Sequence, residues 1–128
     1  MINYLLVALG SAAGGMARYA CSGLGVRLFG ETFPWGTLFV NVSGSLVIGA
    51  LAATIPEDGR VLFVPDGRAL LMVGICGGFT TFSSFSMEVV NLMRNGAWGP
   101  AVGYMFASVL LCLAATAVAF FALTALQR

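Results

Sequence analysis

Four long apolar runs take up nearly the whole chain and leave little for anything else. A membrane-crossing helix needs about 20 mostly apolar residues, and the sequence offers such runs at roughly 4–24, 35–55, 69–93 and 99–126 of its 128 residues. Apolar residues make up 59% and charged residues only 9%, against about 45–50% apolar in soluble domains. The expected fold is an all-α membrane protein, a single transmembrane domain over 1–128 with four helices and a lipid bilayer as its solvent.

No basic stretch precedes the first run, and Arg18 lies inside it. That run is therefore read as a retained span and not as a cleaved signal.

Several function classes lack their residues. Cys21, Cys76 and Cys112 fall singly in three different runs and histidine is absent, so neither a zinc site nor a disulfide framework is indicated. No G-x-S-x-G, Walker loop, or Ser/His or Cys/His pair is present to activate a nucleophile. The chain is not expected to be an enzyme or to bind nucleic acid. Transport or a structural role remains.

The connectors "RLFGETFP", "PEDGRVLFVPDGR" and "RNGAWGP" carry turn residues, and Phe33, Trp35 and Trp98 fall at the ends of runs, where an interfacial aromatic belt sits. With four spans, Arg60, Arg68 and Arg128 lie on one side of the membrane. Arg27 and Arg94 lie on the other, joined by Arg18 if it snorkels toward the C-terminal end of its span. The count is three against three. Orientation follows the Lys/Arg bias of short loops, so a balanced chain has no instruction about which way to insert. Dual topology follows, with two opposed copies forming an eight-helix antiparallel homodimer in the manner of inverted-repeat transporters. Gly10-x-x-x-Gly14, Gly99-x-x-x-Gly103 and Ser45-x-x-x-Gly49 offer small-residue faces for close helix contact.

Polar groups at membrane depth are costly unless they face protein or water. Asn41 lies on one helical face with Thr37 and Ser45; its amide serves either as a donor to an anion or as interhelical glue. In "GICGGFTTFSSFSMEVV" (Gly74 to Val90), helical spacing gathers Gly77, Thr81, Ser84, Phe85 and Glu88 into one sector, with Phe82 on its edge. Hydroxyls in helices often bond back to carbonyls one turn earlier, but five in seven positions after Gly77-Gly78 predict more than that. Gly-Gly followed by Thr80-Thr81 holds a helix poorly, so a break is expected near Gly77–Thr80. Freed backbone at membrane depth must face protein or water and can hold an ion. Hydroxyls, an amide and the positive edges of phenyl rings suit a small, strongly hydrated anion. Arg18 adds positive charge near a pathway mouth, or simply snorkels. Glu88 has no clear part in such a path.

These residues resemble the Fluc (CrcB) fluoride channels. "GGMAR" (Gly14 to Arg18), "GTLFVN" (Gly36 to Asn41) with Gly44, and "GICGGFTTFSSFS" (Gly74 to Ser86) carry the resemblance across the whole chain. It implies an antiparallel homodimer in the bacterial inner membrane, with two narrow pores that pass fluoride passively and so lower its cytoplasmic level. On matching positions it implies Phe82 and Phe85 as pore phenylalanines, Asn41 as a pore-lining donor, and Thr81, Ser84 and Tyr104 along a polar track. Gly77 and Thr80 would give backbone carbonyls to a structural sodium ion at the dimer centre, which is not transported. Ser84 stands where the family more often has threonine, and the hydroxyl is kept.

Two alternatives compete. A small dual-topology multidrug exporter needs a carboxylate in its first span, where this chain has Arg18 and no acid. A membrane subunit that only packs against partners has no use for the set Asn41, Phe82 and Phe85.

Overall fold

The computed structural model describes residues 1–55 and 66–127, and within them the chain is entirely helical. Most of the second connector, with Arg60, lies outside the described residues, as does Arg128. Helix α1 spans Ile2–Phe29 and α2 spans Trp35–Thr54. A π-helical stretch over Arg68–Cys76 runs into a single turn, α3, at Gly77–Phe79; α4 then covers Phe82–Arg94 and α5 Trp98–Leu126.

Gly30 (φ 78°) and Gly96 (φ 75°) reverse the chain after α1 and after α4, in a backbone region that other residues enter at a cost. Trp35 and Trp98 begin α2 and α5, as a belt requires. The helical segments Trp35–Thr54, Arg68–Arg94 and Trp98–Leu126 are long and apolar enough to cross a membrane. Helix α1 has the length, at 28 residues, but its glycines, serines and two arginines make it less apolar.

Lipid tails are as apolar as leucine, so burial gives membrane helices little drive to associate and close van der Waals approach must do the work. Several close approaches join α1 to the third span. A Cβ at Gly10 would lie 2.8 Å from Gly74 Cα, one at Gly14 would meet the Ile75 carbonyl, and one at Gly78 would lie 2.6 Å from the Ser11 carbonyl oxygen. The first small-residue pair is therefore a contact face. So is Ser45-x-x-x-Gly49, where a Cβ on Gly49 would strike the backbone of Thr116 and where the Thr116 hydroxyl donates to the Ser45 carbonyl at 3.0 Å. By contrast, nothing lies within 4 Å of a Cβ at Gly99 or Gly103.

The third span is broken at the end of the expected stretch Gly77–Thr80, on the threonines and not on the glycines. Gly77 (φ −64°, ψ −36°) is helical, and the extended residues are Thr80 (φ −76°, ψ 154°) and Thr81 (φ −150°, ψ 114°). The Gly77-Gly78 pair continues the helix, and Gly78 is small because α1 crosses it. The extra turn width of the π-helical stretch, where the Gly77 N–H reaches back to the Gly74 and Met72 carbonyls, has no sequence signature; π-turns concentrate at functional sites.

Gly14→Ala forces a methyl against the Ile75 carbonyl and should cost about 1–3 kcal/mol, read as a lower unfolding temperature in detergent. Gly103→Ala meets open space and should match or exceed the parent. Equal unfolding temperatures for Gly14→Ala and the parent would refute the close contact.

Candidate functional site: a side-chain clamp on a broken helix

Two extended residues in the middle of a span leave backbone groups without helical partners, and at this depth each needs another. Asn41 on α2 meets the need at Thr81. Its Nδ2 donates to the Thr81 carbonyl at 2.9 Å, and its Oδ1 accepts the Thr81 N–H at 2.7 Å. One amide thus pairs with one residue's backbone as a neighbouring strand would. Gly44, one turn below, is small because a Cβ there would run into the Thr80 methyl and come within 3.1 Å of the Phe79 ring.

Thr81 also starts α4. Its Oγ1 accepts the Ser84 N–H at 3.1 Å, an N-cap worth about 1 kcal/mol, and its hydroxyl lies 3.1 Å from Ser84 Oγ and 3.3 Å from Ser83 Oγ. The other hydroxyls follow the plainer pattern. Thr80 bonds back to the Cys76 carbonyl and Ser86 to the Phe82 carbonyl, both at 2.9 Å.

Arg18 does not snorkel. It sits about 16 Å along the axis from Phe29, the end of α1, and its Nε donates to the Gly78 carbonyl at 3.1 Å. It places positive charge at the C-terminal end of the half-helix before the break, where a cation complements the helix dipole.

In an unbroken helix the Gly77 carbonyl would accept from Thr81 and the Thr80 carbonyl from Ser84. Both N–H groups are spent elsewhere, on Asn41 Oδ1 and Thr81 Oγ1. Gly77 is exposed and Thr80 half-buried, and their two carbonyl oxygens are left without the usual helical donors. Hard cations take carbonyl oxygens of this kind as ligands.

Beside the break lies a cleft of about 270 Å³ that brings together Asn41, Thr80, Thr81, Phe82 and Phe85. The two rings are 5.3 Å apart and tilted by 52°. Phe85 is buried at 8% exposure, while Phe82 is 76% exposed. Ser84 and Tyr104 are not in the wall of this cleft. Tyr104 is fully buried, stacked edge-on against Phe85 at 5.1 Å, and its hydroxyl donates to Glu88 Oε2 at 2.7 Å.

Glu88 was without a role in the sequence. Its other oxygen accepts from the Thr37 hydroxyl at 2.6 Å. Together with Ser22, Glu31, Asn91 and Asn95 it faces a second cavity of about 290 Å³, near the α1–α2 connector. Phe85, Tyr104 and Glu88 therefore link the two cavities through successive contacts.

The sequence reading also passed over Ser108. It lines the first cleft at 6% exposure, and its Oγ has no hydrogen-bond partner. A signal for it exists: Tyr104, Ser108, Cys112 and Thr116 recur every four residues along α5 and so share a face.

The model of the CrcB-like family, described as Camphor Resistance (CrcB), matches residues 5–120. The chain belongs to the CrcB family. Among CrcB relatives, it is 52% identical over 115 residues to a protein of Opitutus terrae, covering 90% of this chain and 87% of the relative. It is 47% identical over 128 residues to one of Paramagnetospirillum magneticum, the whole length of both chains. A third, from Rhodospirillum rubrum, is 48% identical over 112 residues, 88% of this chain and 87% of the relative. All three are named fluoride-specific ion channel FluC. With three spans apolar enough to cross a membrane, this CrcB protein is a multi-pass bacterial membrane protein.

Removing the Asn41 amide leaves the Thr81 N–H and carbonyl without partners, at about 1–3 kcal/mol for each buried group. Asn41→Leu should therefore lower the unfolding temperature in detergent well below that of Ser43→Ala, whose hydroxyl only bonds back within α2. Equal values for the two variants would show that Asn41 does not hold the break.

Proposed function

We propose that this chain is a fluoride channel that lets the ion run passively out of the cytoplasm across the bacterial inner membrane. Three relatives at 47–52% identity, matched over 87–100% of their own length, carry that name, and this likeness carries the reading. The cleft agrees with its chemistry. Phenyl rings present positive edges to an anion, and the second N–H of Asn41 and the Ser108 hydroxyl supply short donors in place of water. Beyond Phe85 the hydroxyls of Thr37 and Tyr104 donate to the Glu88 carboxylate, so their protons are spent on that group. Passage down a gradient makes or breaks no bond, so the protein is not an enzyme.

The working unit in this reading is an antiparallel homodimer with two pores. With Arg18 held by the Gly78 carbonyl the remaining arginines stand three against two, only a weak bias for one orientation. The 76% exposure of Phe82 beside the Gly77 and Thr80 carbonyls supports a partner there, as a mixed face that neither lipid nor water suits well. Two chains meeting there would offer four carbonyl oxygens to one sodium ion. That ion would compensate the carbonyl dipoles and is not the transported species. The multidrug-exporter alternative gains nothing, since the charge inside α1 is Arg18, engaged with the Gly78 carbonyl.

Purified protein in liposomes should dissipate a fluoride gradient once a potassium ionophore supplies the counter-ion, and flux no faster than from empty vesicles would contradict the proposal. Phe82→Ile and Phe85→Ile should each slow that flux at least tenfold while the dimer persists; normal rates in both would return the rings to packing. C-terminal reporters active only inside or only outside the cytoplasm should both give signal, whereas a single orientation would exclude dual topology.

A further inference from the structure

An apolar groove of about 720 Å³ lies between the first, second and last helices, lined by Leu24 and Leu28 of α1, Phe39, Val42 and Leu46 of α2, and Leu111 of α5. Within it α1 and α2 touch backbone to backbone: a Cβ on Gly25 would lie 2.6 Å from Gly36 Cα, and both glycines line the groove. At about 100° per residue, Val42 and Leu46 are turned well around α2 from Asn41 and Ser45, which line the cleft beside the break. A second copy seated on the mixed face at Phe82 meets a different side of α2.

Lipid tails are as apolar as leucine, so an apolar lining by itself selects no occupant; length and shape do. One end of the groove carries Phe29 and Trp35, whose rings are 6.3 Å apart, at the level of an interfacial aromatic belt. From Trp35 the groove reaches Leu46, about 16 Å along α2, against about 15 Å for half of the hydrocarbon core. That is the depth one acyl chain spans. The Ser43 hydroxyl in the lining donates back to the Phe39 carbonyl at 2.7 Å and needs no water. A groove of this shape left empty would forgo dispersion contact on its walls, and a single chain laid along it restores that contact. Arg27, in the last turn of α1, and Glu31, in the connector, stand at headgroup level with opposite charges, so the surroundings demand neither sign of headgroup. We propose that this groove is a binding site for one acyl chain of a phospholipid from the adjacent leaflet, held by its chain and not by its headgroup. The inference does not rest on the fluoride-channel reading.

The test adds dioleoyl phosphatidylglycerol or dioleoyl phosphatidylethanolamine to the full chain in detergent and counts retained lipids by native mass spectrometry. One lipid per chain should be retained, with similar affinity for the two headgroups. Val42→Trp, which fills the groove, should weaken that binding at least tenfold, while Val118→Trp, at an exposed position of α5 outside the groove, should not. The unaltered chain gives a second readout that does not depend on how Val42→Trp folds. In bilayers containing a phosphatidylcholine with a diazirine midway along one chain, illumination should attach lipid to Cys21, Leu46 and Leu111 at least tenfold more than to the exposed Val118 and Phe121. No retained lipid, retention of one headgroup only, equal weakening by the two tryptophan variants, or adducts spread evenly over exposed apolar residues would each overturn the proposal. So would a Cys21–Cys21 disulfide between chains under copper phenanthroline, because a second copy would then cover the groove.

Discussion

The pairing of one side-chain amide with one residue's backbone supports much of the rest. Asn41 gives Thr81 both the donor and the acceptor that a helix would have supplied, and so makes an extended residue tolerable at membrane depth. Because Thr81 is held extended, its hydroxyl can cap α4, and α4 starts afresh with Phe82 and Phe85 beside the gap. Because the Thr81 N–H is taken, the Gly77 carbonyl loses its usual helical donor. The cleft, the ring edges and the freed oxygens all follow from where those two hydrogen bonds go.

A break needs stiff surroundings if it is to stay in one place. These come from backbone contact between α1 and the third span at Gly10, Gly14 and Gly78, and from Arg18, which fastens the Gly78 carbonyl on the near side of the gap. The glycines do opposite work to the flexibility usually credited to them, since their lack of a Cβ permits contact too close to slide.

Much of this was legible in the sequence. Run length fixed the number of helices within a few residues, and helical spacing put Thr81, Phe82 and Phe85 by one another. What the sequence could not show was the direction of each side chain. Asn41 reads equally well as a donor to an ion or as glue, and only the partner atoms place it on the Thr81 backbone. Arg18 reads as a snorkelling residue unless the carbonyl of the crossing helix is known to lie within reach. The break was legible to within a few residues, but the part played by Gly77-Gly78 was not, because glycine serves a kink and a close crossing alike. Glu88 became intelligible once Thr37 and Tyr104, 51 and 16 positions away, were found on its two oxygens. Ser108 was available as a four-residue repeat on α5, and was passed over because α5 is otherwise the plainest lipid-facing helix of the chain.

The clamp can be measured directly by amide hydrogen exchange in lipid bilayers, resolved at Thr81. The account predicts that Asn41→Ala speeds exchange at Thr81 at least tenfold, the equivalent of about 1.4 kcal/mol of lost protection, while amides in the middle of α2 and α5 keep their rates. Unchanged exchange at Thr81 in that variant would contradict it, because the break would then be held by something other than the Asn41 amide.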